Sequence, residues 1–445
     1  MNHLINSIGQ NLYQITLGPL LSSDFISVLV LLMPFVLFFE IPWSLFILVG
    51  LIRYKLRRMQ EGERRPYFPT VSCIVTCYSE GRDIETTVIS LAEQLYPGPI
   101  QILLVVDGAT INAETLAVAK SMKKWAEGGY PNRSVMVLPK WQRGGVVSSS
   151  NLALQFATGE IIIKVDGDSS FDNNMVERAT RHFEDQSVVA VSGSLRVRNA
   201  SKTLCAAFQA VEYFIAIHVS KTALSEFNMV NNISGAFGIF RRELLNLVEG
   251  WDAGTAEDFD MTLRIKNYFN RSKKKIRIVF DPEAMCFTDV PETFTQFYKQ
   301  RIRWEGDYPF ILYKHRYSNS PQFLGWPNFL GGLVNIFTHV VIPGMVFVYT
   351  IWLIFQYRID FAIALLLAVY LFYLLLLTVF YLVGIALLSE RKATDLSRMY
   401  LLPLMPLFMF AAKINSFVAV LWEFIGKGHQ DTSMAPWWVL RKSKF

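Results

Sequence analysis

TGEIIIKVDGD, residues 158–168, decides the fold. Its apolar core GEIIIKV has the form of a strand buried on both faces, and it ends in two acids. Two earlier runs have the same form: TVSCIVTCY at 70–78, and IQILLVVDG at 100–108, which also ends in an acid. Helical spacing fills 83–95 between them. Strands alternating with helices predict a parallel α/β sheet. In such sheets ligands gather at the carboxyl ends of the strands. Asp107, Asp166 and Asp168 all fall at such ends, so they can converge although far apart in sequence.

Outside this block the composition changes. The chain has 445 residues, 52% of them hydrophobic, and carries a net charge of +6. Its mean hydropathy of +0.29 exceeds that of a soluble globule, so part of it belongs in lipid. Residues 1–24 lack Lys and Arg and do not form a cleavable signal. Residues 25–52 carry one charge, Glu40. At about 1.5 Å per residue they outrun a hydrocarbon core of roughly 30 Å, with Pro34 and Pro42 available to kink them. A carboxylate there is costly and pairs within a helix bundle. The basic run RYKLRRMQEGERR at 53–65 marks a cytoplasmic flank. It is not a nucleic-acid arm, because no basic stripe with interleaved aromatics recurs. Three more apolar runs lie at 327–356, 361–388 and 400–424. The last is the poorest, with Pro403, Pro406, Lys413 and Asn415, and reads equally as an interfacial or re-entrant helix. The tail after it is basic and prefers the cytosol. The organisation is therefore an amino-terminal segment with one span (1–54), a cytosolic domain (55–322), and carboxyl-terminal helices with a short basic tail (323–445). The four cysteines, Cys73, Cys77, Cys205 and Cys286, form no CxxC pair and read as small buried hydrophobes kept as thiols.

Four strings inside the polar block carry chemistry. VDGD at 165–168 places Asp166 and Asp168 two apart just beyond a strand, where they can hold a hard divalent cation against a diphosphate. Alone such a pair is also a solvated turn; the preceding strand favours the metal site. TAEDFD at 255–260 offers Asp258 as a general base, with Glu257 beside it to raise its pKa. It equally suits the first turn of a helix, and the two roles are compatible. QRIRW at 300–304 offers Gln300, Arg301 and Arg303 to phosphate oxygens and Trp304 as a flat face for a sugar ring. SGAFG stands at 234–238. Together they describe a site that transfers a sugar from a nucleotide.

On these residues the chain resembles the processive family 2 glycosyltransferases of membranes, the synthases of cellulose, hyaluronan, chitin oligosaccharide and poly-N-acetylglucosamine. Their pattern is an acid after the second strand, a DxD, a TED-like string and Q(Q/R)xRW. It is matched by Asp107, Asp166-Gly167-Asp168, Ala256-Glu257-Asp258 and Gln300-Arg301-Ile302-Arg303-Trp304. The CYSEG string, from Cys77 to Gly81, resembles the family's donor-binding "YNE", with Glu80 near the nucleotide base. SGAFGIFRR, led by Ser234 and Gly235, resembles the stretch that lines the acceptor site. The resemblance implies a GT-A (Rossmann-like) cytosolic catalytic domain inserted between transmembrane helices. It implies a UDP-sugar donor, Mg2+ or Mn2+, inversion at the anomeric carbon, and a growing polysaccharide acceptor that leaves beside the catalytic domain. Expected roles are catalysis by Asp258 and Glu257, and donor binding by Cys77, Glu80, Asp107, Asp166, Asp168, Gln300, Arg301 and Arg303. Ser234, Gly235 and Trp304 are expected on the acceptor, and Asp166 and Asp168 on the metal. The expected setting is the cell membrane, with the lipid bilayer and export or accessory subunits as partners. The chain departs from the family where a Gly-Lys pair is usual: Gly145 is followed by Val146, leaving Arg143 as the replacement cation.

Two rival functions remain. A transferase that adds one sugar to a lipid carrier shares the DxD but not usually QRxRW. A non-catalytic receptor or scaffold would have lost an acid, and Asp107, Asp166, Asp168 and Asp258 are all present.

Overall fold

The computed structural model describes residues 36–62, 67–252 and 256–426. The expectations for residues 1–24, the start of the 25–52 span with Pro34, the end of the basic flank, Thr255 and the basic tail lie outside the described residues. The first described helix opens with a π-helical turn, Val36–Glu40, and continues as α1, Ile41–Gln60. It runs past residue 52 because RYKLRRMQ is rich in good helix formers.

The domain that follows is built on eight strands: β1 Val71–Cys77, β2 Ile100–Asp107, β3 Arg133–Lys140, β4 Ile161–Asp166, β5 Ser170–Phe171, β6 Val188–Val197, β7 Phe237–Arg241 and β8 Arg277–Thr288. They form one sheet in the order β3-β2-β1-β4-β7-β6-β8-β5. The expected parallel pairing holds for β3, β2, β1 and β4. Beyond β4 the sheet is mixed, since β7 runs antiparallel to both β4 and β6, and β5 antiparallel to β8. The strand–helix alternation that predicted a parallel sheet stops near residue 168, and antiparallel partners need no crossover helix.

Helices α2 Asp83–Ala92, α3 Ala113–Gly129 and α4 Gly145–Phe156 alternate with the first strands. Later come α5 Leu204–Tyr213, α6 Ser220–Ser225, α7 Glu257–Arg271 and α8 Phe294–Lys314. Alternate residues of each strand feed opposite faces of the sheet. Cys73, Val75 and Cys77 pack with Ile84, Val88 and Leu91 of α2. Ile74, Leu103 and Val105 pack with Ala153 of α4 and with Met261, Ile265 and Phe269 of α7. The result is a three-layer α/β/α core. All four cysteines are buried free thiols, as expected of small hydrophobes.

Past residue 320 the chain forms long apolar helices: α9 Trp326–Ile336, α10 Ile342–Gln356, α11 Ile359–Leu387 and α12 Met405–Gly426. With a π-helical joint between α9 and α10, four segments among the described residues are long and apolar enough to cross a membrane: Val36–Gln60, Trp326–Gln356, Ile359–Leu387 and Lys392–Gly426. Glu40 is paired inside this bundle, accepting a hydrogen bond from Tyr373 Oη at 2.9 Å.

The bundle and the sheet domain share a third apolar cluster, in which Ile47 and Leu51 of α1, Phe208 of α5, Ile385 of α11 and Phe408 of α12 meet. The backbone of α1 approaches α6 so closely at Gly50 that a Cβ there would lie 2.7 Å from Ala223. Ion pairs reinforce the seam. Arg57 holds Glu226 at 2.7 Å and Arg58 holds Glu283 at 2.5 Å. Arg196 of β6 pairs with Asp395 in the short helix Lys392–Leu396 between α11 and α12, whose other oxygen accepts from Ser389 Oγ at 2.6 Å.

Candidate active site

The DGD turn lies at the end of β4, beside the end of β1. Gly167 N donates to Thr76 O at 3.0 Å, and Thr87 Oγ1 donates to the carbonyls of Gly167 and Ser169 at 2.7 and 2.6 Å. A Cβ at Gly167 would meet Thr76 O, Cys77 Sγ and the Glu80 carboxyl at 3.1–3.2 Å, so the turn passes as close to β1 as a glycine permits. Three acids consequently crowd together. Burial pushes Asp166 up to about 7, with Asp168 adding to the shift and Lys164 opposing it. Burial also pushes Glu80 up to about 7, helped by Asp168 and Asp166, and leaves its Oε2 with no hydrogen-bond partner. Asp168 is raised by burial as well. Carboxylates crowded in this way favour a cation among them. Among the described residues no group of three His, Cys, Asp or Glu side chains could hold a metal by itself. The donor set thus fits a hard ion that takes one or two carboxylates and completes its shell with phosphate and water.

The AED string opens α7. Its N-cap, Ala256, is left-handed at φ 51°, a conformation that costs a non-glycine residue about 1–2 kcal/mol. Glu257 and Asp258 follow in the first turn, where the helix dipole favours them. Asp258 Oδ2 accepts from Gly235 N at 3.0 Å and Asn232 Nδ2 at 3.1 Å, and Oδ1 accepts from Phe259 N at 2.7 Å. Burial and the neighbouring Glu257 nonetheless raise its pKa above the ordinary range. Glu257 goes the other way: burial opposes its charge, but Lys164 outweighs burial, and Arg303 adds to the lowering. The adjacent acids are therefore split into one held charged and one tuned upward, which is how a site makes a base from one of two carboxylates.

Lys164 does the joining, and the sequence reading missed it. It projects from β4 and is 2% exposed. Its Nζ donates to Glu257 Oε1 at 2.9 Å and to Gly235 O at 2.7 Å. One ammonium thus ties the DGD strand, the SGAFG segment and the AED helix together. The signal was available, since a lysine inside IIIKV must find a partner when buried. Gly235 donates its N–H to Asp258, and a Cβ there would lie 3.0 Å from Glu257 Oε1. Ser234 precedes it, its N–H on Ser192 Oγ at 3.3 Å.

Three residues expected on the donor are held within the protein. Asp107 does reach the end of β2, but its carboxylate is spent on its own scaffold. Lys140 Nζ lies 2.8 Å away, Gly144 N donates at 2.8 and 3.1 Å, and Gly145 N at 2.7 Å. These three donors tie Asp107 to the 140–145 loop. Lys140, also bonded to Ser148 Oγ at 2.9 Å, is the cation of this corner; Arg143, expected there, lies 4.5 Å over the Tyr78 ring. Cys77 is buried under the DGD turn, its thiol pushed well up by burial, and is wall instead of ligand. Arg301 points away from the acids. Its guanidinium pairs with Glu212 of α5 at 2.7 Å and stacks on Phe297 and Trp304 at 5.0 and 4.7 Å. QRIRW is a turn of α8, and at about 100° per residue Arg301 and Arg303 leave the helix some 200° apart. Arg303 stays with the acids through its effect on Glu257. Gln300 keeps a buried Oε1 without a hydrogen-bond partner. Trp304 is 41% exposed, one face on Arg301 and the rest open.

The profile described as "Glycosyltransferase like family 2" matches residues 69–306. A poly-β-1,6-N-acetyl-D-glucosamine synthase of Staphylococcus epidermidis is 26% identical over 288 residues, 62% of this chain and 66% of that one. An N-acetylglucosaminyltransferase of Mesorhizobium japonicum is 27% identical over 245 residues, 53% of this chain and 55% of the relative. The chain thus spans just under two thirds, or about half, of the length of these relatives. Among solved structures, the mannosyltransferase PcManGT from Pyrobaculum calidifontis, in complex with GDP-Man and Mn2+, superposes with a TM-score of 0.52 at 21% identity, over 86% of this chain and 98% of its own. That likeness concerns the fold.

Proposed function

The chain belongs to the glycosyltransferase like family 2 and has the GT-A, Rossmann-like fold; from that premise we propose that it is a membrane-bound synthase that extends a polysaccharide from a UDP-sugar with inversion. The observation that carries this is the Lys164 knot, which sets Asp258 beside the DGD acids and Glu257 within the field of Arg303. The names of the relatives favour N-acetylglucosamine as the sugar.

Asp166 and Asp168 would hold the divalent ion, Mg2+ or Mn2+, and Glu80 lies beside them. Bound there, the ion would neutralise the diphosphate so that it can leave. Arg303 and Gln300 would engage the same group from α8. Asp258 takes the proton from the attacking acceptor hydroxyl; its raised pKa suits that task at neutral pH better than an ordinary aspartate would. Glu257, kept charged by Lys164, maintains that raised pKa and fixes the helix end. Ser234 and Gly235 line the acceptor side, and the open face of Trp304 stacks the chain terminus. Since α8 leads through the short Pro321–Leu324 helix into α9, the acceptor end stands next to the membrane bundle. The catalytic domain would face the cytosol, following the basic flank of α1.

The test supplies purified protein in detergent with UDP-N-acetylglucosamine, UDP-glucose, UDP-glucuronate or GDP-mannose, with and without chelator, and measures nucleotide release and product length. Metal-dependent UDP release with a polymeric product is expected. A single-sugar lipid product would overturn polymer synthesis in favour of the lipid-carrier transferase.

A further inference from the structure

A cleft of about 950 Å3 lies between α1 and the turn that follows α6, with the start of β8 beside it, away from the acids of the active site. One wall is a helical stripe of α1. Val49, Ile52 and Leu56 face outward, each a little over half exposed, and Arg53, Arg57 and Gln60 follow on the same side at i+3 and i+4 spacing. The opposite wall carries Glu226, Phe227 and Asn228, with Arg277 at the start of β8. Among the described residues, three arginines therefore stand against one carboxylate in the lining. Glu226 is 5% exposed and already bound by Arg57 at 2.7 Å. Arg277 is 47% exposed and meets Asp185 at 3.5 Å, outside the cleft. Arg53 rests over the Phe227 ring at 5.4 Å and makes no ion pair among the described residues.

Depth decides what such a cleft receives. Arg53 is the first cation after the apolar run of α1, so it stands at the headgroup level of the leaflet in which that helix ends. The stripe above it is the surface that acyl chains touch. We propose that the cleft binds the phosphate headgroup of an anionic phospholipid, with Arg53 and Arg277 on the phosphate and the acyl chains along Val49 and Ile52. Guanidinium forks suit phosphate oxygens, and Arg53 and Arg277, with the one lining carboxylate taken by Arg57, disfavour the added cation of a choline headgroup. The inference does not depend on the catalytic assignment.

The full-length protein in detergent is equilibrated with equimolar phosphatidylglycerol and phosphatidylcholine, and the retained lipid is counted by native mass spectrometry. The wild type should retain phosphatidylglycerol in excess. Removing both guanidinium forks takes away the two phosphate contacts, so Arg53→Gln with Arg277→Gln should abolish most of the preference. Both side chains are exposed, so the double variant should elute as the wild type does on size exclusion. Lys55→Gln, an exposed lysine of α1 outside the cleft, should leave the preference in place. Undiminished preference in the arginine double variant would overturn the site. An equal loss in Lys55→Gln would reduce it to diffuse surface attraction. Displacement of the lipid by millimolar inorganic phosphate would make it a site for free anions.

Discussion

Replacing Asp258 by asparagine separates the base from everything around it. The carboxylate accepts three hydrogen bonds, from Asn232 Nδ2, Gly235 N and Phe259 N. An amide keeps one oxygen, so Asp258→Asn loses one charge-assisted acceptor, a cost of about 1.5–3 kcal/mol. Against this, a buried negative charge beside Glu257 disappears, and its repulsion was raising the pKa of the wild-type acid. The two effects offset, and the folded protein should survive with a modest change in Tm. The donor side should be preserved or slightly improved, because the charge on Asp258 also raises Asp166, and its removal favours the ionised form that holds a metal. The loss should fall on transfer. Removal of a general base lowers the rate by about 10²–10⁴, roughly 2.7–5.5 kcal/mol of barrier. The assay is initial UDP release at saturating UDP-sugar, together with UDP affinity by calorimetry. The pH profile supplies a second readout. A base works deprotonated, so wild-type kcat should rise with pH through a pKa above the ordinary aspartate value of 3.8, and this limb should vanish in the variant. Turnover within about tenfold of wild type, or an unchanged acid limb, would refute the assignment.

Three other outcomes follow from the same geometry. Lys164→Met leaves Glu257 buried and uncompensated, which costs about 3–5 kcal/mol and should lower Tm by roughly 10 °C; adding Glu257→Gln should recover much of the stability but not the activity, as followed by thermal unfolding. Trp304→Ala should shorten the product more than it slows donor hydrolysis, since the acid cluster is untouched; equal losses in the two, measured in one reaction, would remove Trp304 from the acceptor site. Asp107→Asn releases part of the 140–145 loop, so the KM for donor should rise several-fold while kcat holds, and a kcat effect alone would restore Asp107 to direct chemistry.

Much of this was written in local sequence. Apolar runs of strand length ending in acids were enough for the sheet core, because a strand buried on both faces has little alternative composition. The spans were legible for the same reason, as a bilayer demands uninterrupted apolar length. VDGD and AED could be placed at a strand end and a helix start before any coordinates. What sequence could not assign was the partner of each charge. Asp107 and Asp166 both end apolar strands, yet one carboxylate is filled by Lys140 and two amides while the other is left with acids for neighbours. Arg301 and Arg303 differ by two positions, yet helical rotation sends one to Glu212 and leaves the other near Glu257. Lys164, unremarkable in a string of isoleucines, became the joint of the site because β7 pairs beside β4 and carries Gly235 to it. Strand and helix identity follow from the residues in a short window, whereas the pairing of buried charges depends on which distant segments the sheet order brings within about 3 Å of each other. Only the tertiary structure decides that.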